Sequence, residues 1–172
     1  MKNLRAQIWV ETVIYTLIGL AIIGILLAVS KPKIDSMKDK LAIEQTIDSM
    51  NLLNSKIIEA EGFSQGNKRK VELKISKGQL VINPNLDSIY WVLDSNYKYS
   101  ESGSIVDIGN LKLITTGNNP WKIMIFTNYS GIDLKYQNKA EIKTFDVSPS
   151  VYNIFVENKG ASEGNIVIDL FG

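Results

Sequence analysis

The stretch "RAQIWVETVIYTLIGLAIIGILLAVSKP", residues 5–32, decides the fold because it is one long apolar run. From Thr12 to Val29 no side chain ionises. A helix of about 18 residues covers roughly 27 Å, close to the thickness of the hydrocarbon core of a bilayer. A secretory signal has a shorter apolar region that ends in small residues, and a soluble core helix has polar positions on every turn. The stretch therefore predicts a membrane-spanning helix, with residues 8–30 as its membrane part.

Glu11 stands at the N-terminal edge of this run, next to Thr12. A carboxylate in hydrocarbon costs about 2.5 kcal/mol or more at the membrane centre and less near the interface. Two interpretations follow: a positively charged partner compensates Glu11, or its side chain extends to the headgroup boundary.

Composition excludes several classes of function. The 172 residues can form one ordinary domain with an appended segment. The 19 basic and 18 acidic residues are nearly balanced, so the chain lacks the basic surface of a nucleic-acid-binding protein. Cysteine and histidine are absent, which excludes Cys/His zinc sites, thiol nucleophiles and a histidine base. Phosphate-binding glycine loops and nucleophile elbows are also missing from the sequence, so we expect no enzyme, no cofactor and no metal site.

Helical periodicity continues past Pro32 to about Glu61. It forms two apolar stripes: Ile34, Met37 and Leu41, then Ile43, Ile47, Met50 and Ile57. The step from Leu41 to Ile43 rotates by about 200°, which puts the stripes on nearly opposite faces. The pattern predicts a helix over residues 7–61 with two different partners along its length, or a helix that lies crookedly on a single core.

From Gly62 onward the period changes to two, which is typical of strands. The turn residues between the segments include Gly, Pro, Asn and Ser, and helical runs are missing. This favours an α+β protein in which residues 62–172 form an antiparallel β-sandwich of about nine strands. The predicted strands are 71–76, 79–84, 88–94, 110–116, 121–127, 131–136, 140–147, 150–158 and 165–172, with a turn at 158–160. We expect the sandwich to fold alone from Gly62, or from Ile43 if the second stripe is needed.

A short basic leader, "MKNLRA", precedes "QIWVE" and the apolar stretch. This N-terminus resembles the class III leader and helix of type IV pilin-like proteins, and the all-β remainder is similar to the archaeal branch, the pilins and archaellins. The resemblance implies that residues 1–6 are a leader peptide, cut by a leader peptidase between Ala6 and Gln7. Glu11 is then the fifth residue of the mature chain. Because glycine is commoner than alanine before such a cut, cleavage after Arg5 and absence of cleavage stay open.

The resemblance also implies a role for Glu11. In pilin-like filaments this carboxylate meets the new N-terminal amine as subunits dock, and the buried ion pair fixes their axial register. Gly24 and Ala28 share a helix face where small residues allow neighbouring helices to approach closely, although glycine is also simply frequent in membrane helices. The expected partners are the membrane, the leader peptidase and like subunits or related pilins, without nucleic acid.

Asn128 begins "NYS", the only Asn-x-Ser/Thr sequence in the chain, at the end of a predicted strand. It is a candidate for N-glycosylation, or part of a plain turn. Two functions therefore stay open. The first is a structural subunit of a cell-surface filament, membrane-inserted before assembly and with an extracellular C-terminal domain. The second is a monomeric, single-pass membrane-anchored β-domain that binds a partner or ligand at the cell surface.

Overall fold

The computed structural model describes the backbone of residues 2–162 and 164–172, and the side chains of residues 9–162 and 164–172. Helix α1 (Lys2–Glu61) has 60 residues and includes Pro32. The chain forms two compact units, Met1–Lys38 and Asp39–Gly172.

The first unit is the N-terminal part of α1. Its most apolar window is long enough to span a membrane, and none of that window is buried within the protein. Within it, the Thr16 hydroxyl donates to the Thr12 carbonyl oxygen at 2.8 Å. A helix that is apolar on every side is typical of a membrane span or of the core of a larger protein.

The second unit contains ten strands among the residues that the structure describes. They are β1 (Lys68–Leu73), β2 (Gln79–Asn83), β3 (Ser88–Ser95), β4 (Ile105–Ile108), β5 (Leu111–Thr116), β6 (Trp121–Asn128), β7 (Ile132–Tyr136), β8 (Lys143–Phe145), β9 (Tyr152–Ser162) and β10 (Asn165–Phe171). A short 3-10 helix (Pro84–Leu86) joins β2 to β3. The strands form a four-stranded sheet in the order β1-β9-β10-β7 and a six-stranded sheet in the order β4-β5-β6-β3-β2-β8.

The predicted α+β class, a long N-terminal helix followed by β-structure, is confirmed. Each of the nine predicted strands overlaps an observed one, and β4 is the additional strand. The prediction of purely antiparallel pairing is wrong at one place, because β7 and β10 are parallel, with Leu134 opposite Ile168. These two strands are distant in sequence, and β7 is the edge strand next to β10.

The predicted turn at 158–160 is also wrong. Asn158 and Gly160 lie inside β9, where the register against β10 shifts between Val167 and Ile168. This irregularity is a β-bulge, and Gly160 supplies the positive φ of +92° that such a bulge accepts. The chain reverses instead near Gly164, between β9 and β10.

One hydrophobic core fills the second unit. The second apolar stripe of α1 is buried in it together with Leu53 and Ala60, whereas Leu41 of the first stripe is exposed. Trp91 on β3 is the largest fully buried side chain of the described residues, and its Nε1 donates to the Lys77 carbonyl oxygen at 3.0 Å. Residues 39–61 of α1 are therefore an integral layer of the β-domain, which we define as Asp39–Gly172.

Candidate assembly helix

Glu11 lies on an exposed position of α1 between apolar residues. Among the side chains that the structure describes, none forms an ion pair or hydrogen bond with its carboxylate. The side chains of residues 1–8 are outside the described residues, and so are Ala6 and Gln7, where the predicted cleavage falls. The position of Glu11 is thus at the surface of the helix, where a group supplied from outside this part of the chain can reach it.

Gly24 and Ala28 are exposed and lie one helical turn apart. A Cβ added to Gly24 meets no atom within 4 Å. The flat surface around these two residues is therefore free within the chain. Closely approaching helices use such small-residue surfaces because their backbones can come into van der Waals contact there.

Asn128 ends β6 and is exposed, as is Ser130 two residues later. Between them Tyr129 is buried and its hydroxyl donates to Asn54 Oδ1 at 2.9 Å, while its backbone N–H donates to the Asp87 carbonyl oxygen at 2.8 Å. Burial raises the pKa of Tyr129 far above its ordinary value. The hydrogen bonds of Tyr129 hold residues 128–130 in place and leave the Asn128 side chain in solvent. A glycan attachment site requires such exposure.

A polar cluster that the sequence did not reveal lies where α1 enters the β-domain. Asp39 is buried and accepts from the Asn96 backbone N–H at 2.7 Å, from Asn96 Nδ2 at 2.8 Å and from Lys77 Nζ. Burial alone would raise the pKa of Asp39, but these hydrogen bonds outweigh it and hold the pKa below its ordinary value. One signal could have identified it: Asp39 is four residues before Ile43, on the buried face of the helix.

A second cluster closes the C-terminal end of α1. Asn158 on β9 donates its Nδ2 to the carbonyl oxygens of Ala60 and Phe63, each at 2.9 Å, and its Oδ1 accepts from the Gly160 N–H at 2.7 Å. Ala60 lies in the last turn of α1 and Phe63 two residues beyond its end, so one distant asparagine binds the backbone on both sides of the helix terminus. The side chain is 3% exposed, which makes this a buried cap.

Two acidic side chains outside these clusters, Asp87 and Glu101, have structural contacts. Asp87 Oδ1 accepts from the Leu134 N–H at 2.9 Å, and Glu101 pairs with Lys98 at 2.8 Å. In the described part of the chain, groups of three Asp, Glu, His or Cys side chains that could hold a metal ion do not occur.

Comparisons of this chain with protein families, with curated proteins and with solved structures found no match.

Proposed function

We propose that this protein is a structural subunit of a type IV pilin-like surface filament of the archaeal kind. Residues 8–30 of α1 hold it in the membrane before assembly, and the same helix segments pack together in the filament core afterwards. The β-domain, arranged as a β-sandwich, then lies outside that core at the cell surface. Its role is structural or adhesive rather than enzymatic, and its partners are like subunits.

The observation that carries this proposal is the exposed carboxylate of Glu11 in an otherwise uncharged helix surface. A simple membrane anchor gains nothing from a carboxylate there, whereas a filament subunit needs one to meet the N-terminal amine of a neighbour. The open surface at Gly24 and Ala28 supports the same proposal, because it offers helix contact without rearrangement of the chain.

The alternative function is a monomeric, single-pass anchor for a β-domain that binds a partner or ligand. One observation favours it: Glu11 lies near the N-terminal edge of the apolar run, where a carboxylate can also extend toward lipid headgroups. The two proposals differ in whether the leader is removed.

Intact-mass measurement on the protein from its native cells tests the proposal. We expect the mass of a chain that begins at Gln7, and a full-length mass in a variant with Arg5→Ala that slows processing. A surface protein that retains Met1 or Lys2 would contradict the filament proposal and leave the anchor proposal in place. Electron microscopy of the same cells checks independently whether filaments containing the processed chain exist.

A further inference from the structure

The two sheets have four edges among the described residues, formed by β1, β7, β4 and β8. An edge strand exposes unpaired backbone N–H and C=O groups and can pair with a strand of another molecule. Natural sheet proteins therefore protect their edges with charges, with short strands or with other parts of the chain.

Three of these edges are protected. Four of the six residues of β1 are charged. On β7 the Leu134 N–H is occupied by Asp87 Oδ1 at 2.9 Å. β8 has only three residues and begins with Lys143, whose Nζ lies 5.4 Å from the centre of the Phe145 ring. A second molecule cannot readily add a strand at any of the three.

β4 is different. Its sequence, Ile-Val-Asp-Ile, leaves Ile105 58% and Val106 37% exposed. Within the described part of the chain, its ladder with β5 is the only backbone hydrogen bonding in which Ile105–Ile108 take part. Its single charge, Asp107, lies opposite Lys112 of β5, which balances it. β4 is thus the least protected of the four edges, because its one charge is balanced within its own sheet and its two exposed side chains named above are apolar.

We infer that β4 pairs with β4 of a second copy of this chain, so that two six-stranded sheets become one continuous sheet. The occupant follows from the chemistry of the edge, because unpaired backbone groups in a row are matched only by another strand. A second copy can offer only its own β4, since its other edges are protected. The interface is therefore isologous, with each strand contacting its own equivalent.

The alternation of side chains between the two faces of β4 limits the registers in which two copies of the strand can pair. Residues opposite each other in an antiparallel pair point to the same face, so a two-fold axis places one residue opposite its own copy. An axis at Asp107 would oppose two like charges, which is unfavourable. An axis at Val106 opposes two valines and keeps Ile105 near Asp107 of the other copy. With four residues in β4 the contact is weak in dilute solution and depends on both chains being held in one membrane.

Single-cysteine cross-linking tests this pairing cleanly because the chain contains no cysteine. Val106→Cys would place two thiols opposite each other, with Cβ atoms about 4.5–5.5 Å apart, within reach of disulfide formation after a small adjustment. Mild oxidation of membranes that contain the full chain should give a covalent dimer that a reductant reverses. The matched control is Val151→Cys, which is 46% exposed in the segment before β9 and outside β4.

A second variant distinguishes disulfides that form through β4 pairing from disulfides that form through random collision of two chains. Ile105→Glu places a second carboxylate near Asp107 of the other copy in this register, and we expect loss of the Val106→Cys dimer with an unchanged unfolding midpoint. If Ile105→Glu destabilises the fold, Ile105→Asp replaces it. No dimer at Val106→Cys, equal dimer at Val151→Cys, or a dimer that persists with a charge at 105 would each overturn the inference. Cross-linking is scored in the membrane, so its result does not depend on whether filaments form.

Discussion

Gly78 immediately precedes β2 and lies beside Val92 and Leu93 of β3. A Cβ at this position would be 2.2 Å from the Val92 carbonyl oxygen and 2.7 Å from the Leu93 Cβ, and the φ angle is +77°. Both neighbours belong to a central strand and cannot move away. We expect Gly78→Ala to lower the free energy of unfolding by about 3–5 kcal/mol, measured by denaturant titration of the full chain in detergent.

Gly117 provides the matched control. Its φ angle is +81°, but a Cβ there meets no atom within 4 Å. Gly117→Ala should therefore cost only the about 1–2 kcal/mol of a left-handed alanine. Equal losses for the two variants would show that β3 yields to the added methyl group.

Asp39 predicts how stability depends on pH. Its hydrogen bonds hold its pKa in the folded chain below the ordinary 3.8, so its contribution is complete above about pH 5 and is lost as the pH falls through the folded pKa. Asp39→Asn removes the charge that Lys77 and Asn96 bind, and should cost about 2–3 kcal/mol at pH 7. The difference in unfolding free energy between wild type and variant should be smaller at about pH 2 than at pH 7, because the stabilisation by the Asp39 carboxylate is lost as the pH falls through the folded pKa.

Urea unfolding at the two pH values measures this difference. Asp48→Asn is the control, because Asp48 is exposed on the same helix and has no hydrogen bond among the described residues. An equal difference in unfolding free energy at both pH values would mean that the packing of the Asp39 side chain, rather than its charge, stabilises the fold.

At the scale of elements, α1 from residue 39 onward is a layer of the β-domain. Six of its apolar residues are buried: Ile43, Ile47, Met50, Leu53, Ile57 and Ala60. Their burial contributes about 10 kcal/mol, as much as the whole stability of an ordinary domain. We expect a fragment of residues 39–172 to unfold cooperatively, and a fragment of residues 62–172 to aggregate, as seen by circular dichroism and light scattering.

Point variants of the full chain check the same prediction without truncation. Met50→Ala should cost about 2–5 kcal/mol, whereas Leu52→Ala, which removes a half-exposed side chain, should cost less than about 1 kcal/mol. A soluble, cooperatively folding fragment 62–172 would contradict the assignment of this helix segment to the core.

Sequence periodicity located the elements better than it located their pairing. Alternation found strands such as β5 and β7, in which buried and more open residues alternate. It missed β4 because the four residues of that strand do not alternate in burial. Gly160 shows the limit of local reasoning: a positive φ suits a turn and a bulge equally, and only the register against β10 decides. Among the site residues, Asn128 was predicted from its motif, whereas Asp39 and Asn158 act through partners distant in sequence.

At the scale of the whole molecule, the filament proposal predicts how the helix surface affects assembly. A Cβ added to Gly24 meets no atom within 4 Å, so Gly24→Leu should leave membrane insertion unchanged, yet the added side chain holds neighbouring helices apart. Glu11→Ala removes the partner of the N-terminal amine. We expect both variants to reach wild-type levels in the membrane and to form fewer filaments by electron microscopy.

Gly19→Leu is the matched control. It adds the same side chain to a glycine with equal free space, about 140° around the helix from Gly24. Filaments unaffected by both Gly24→Leu and Glu11→Ala would remove α1 from the filament core and favour the anchored monomer.

The asparagine cap at the end of α1 also determines when this helix can finish folding during synthesis of the chain. Asn158 reaches the Ala60 carbonyl oxygen across 98 positions of the chain. At about 5–20 residues per second, the ribosome releases the cap roughly 5–20 s after the helix end that it closes. The apolar N-terminal part of α1 is therefore made well before its far end can finish folding. During this interval the apolar stripe from Ile43 to Ile57 has no strands to cover it, so the newborn chain exposes an aggregation-prone surface until β9 is made.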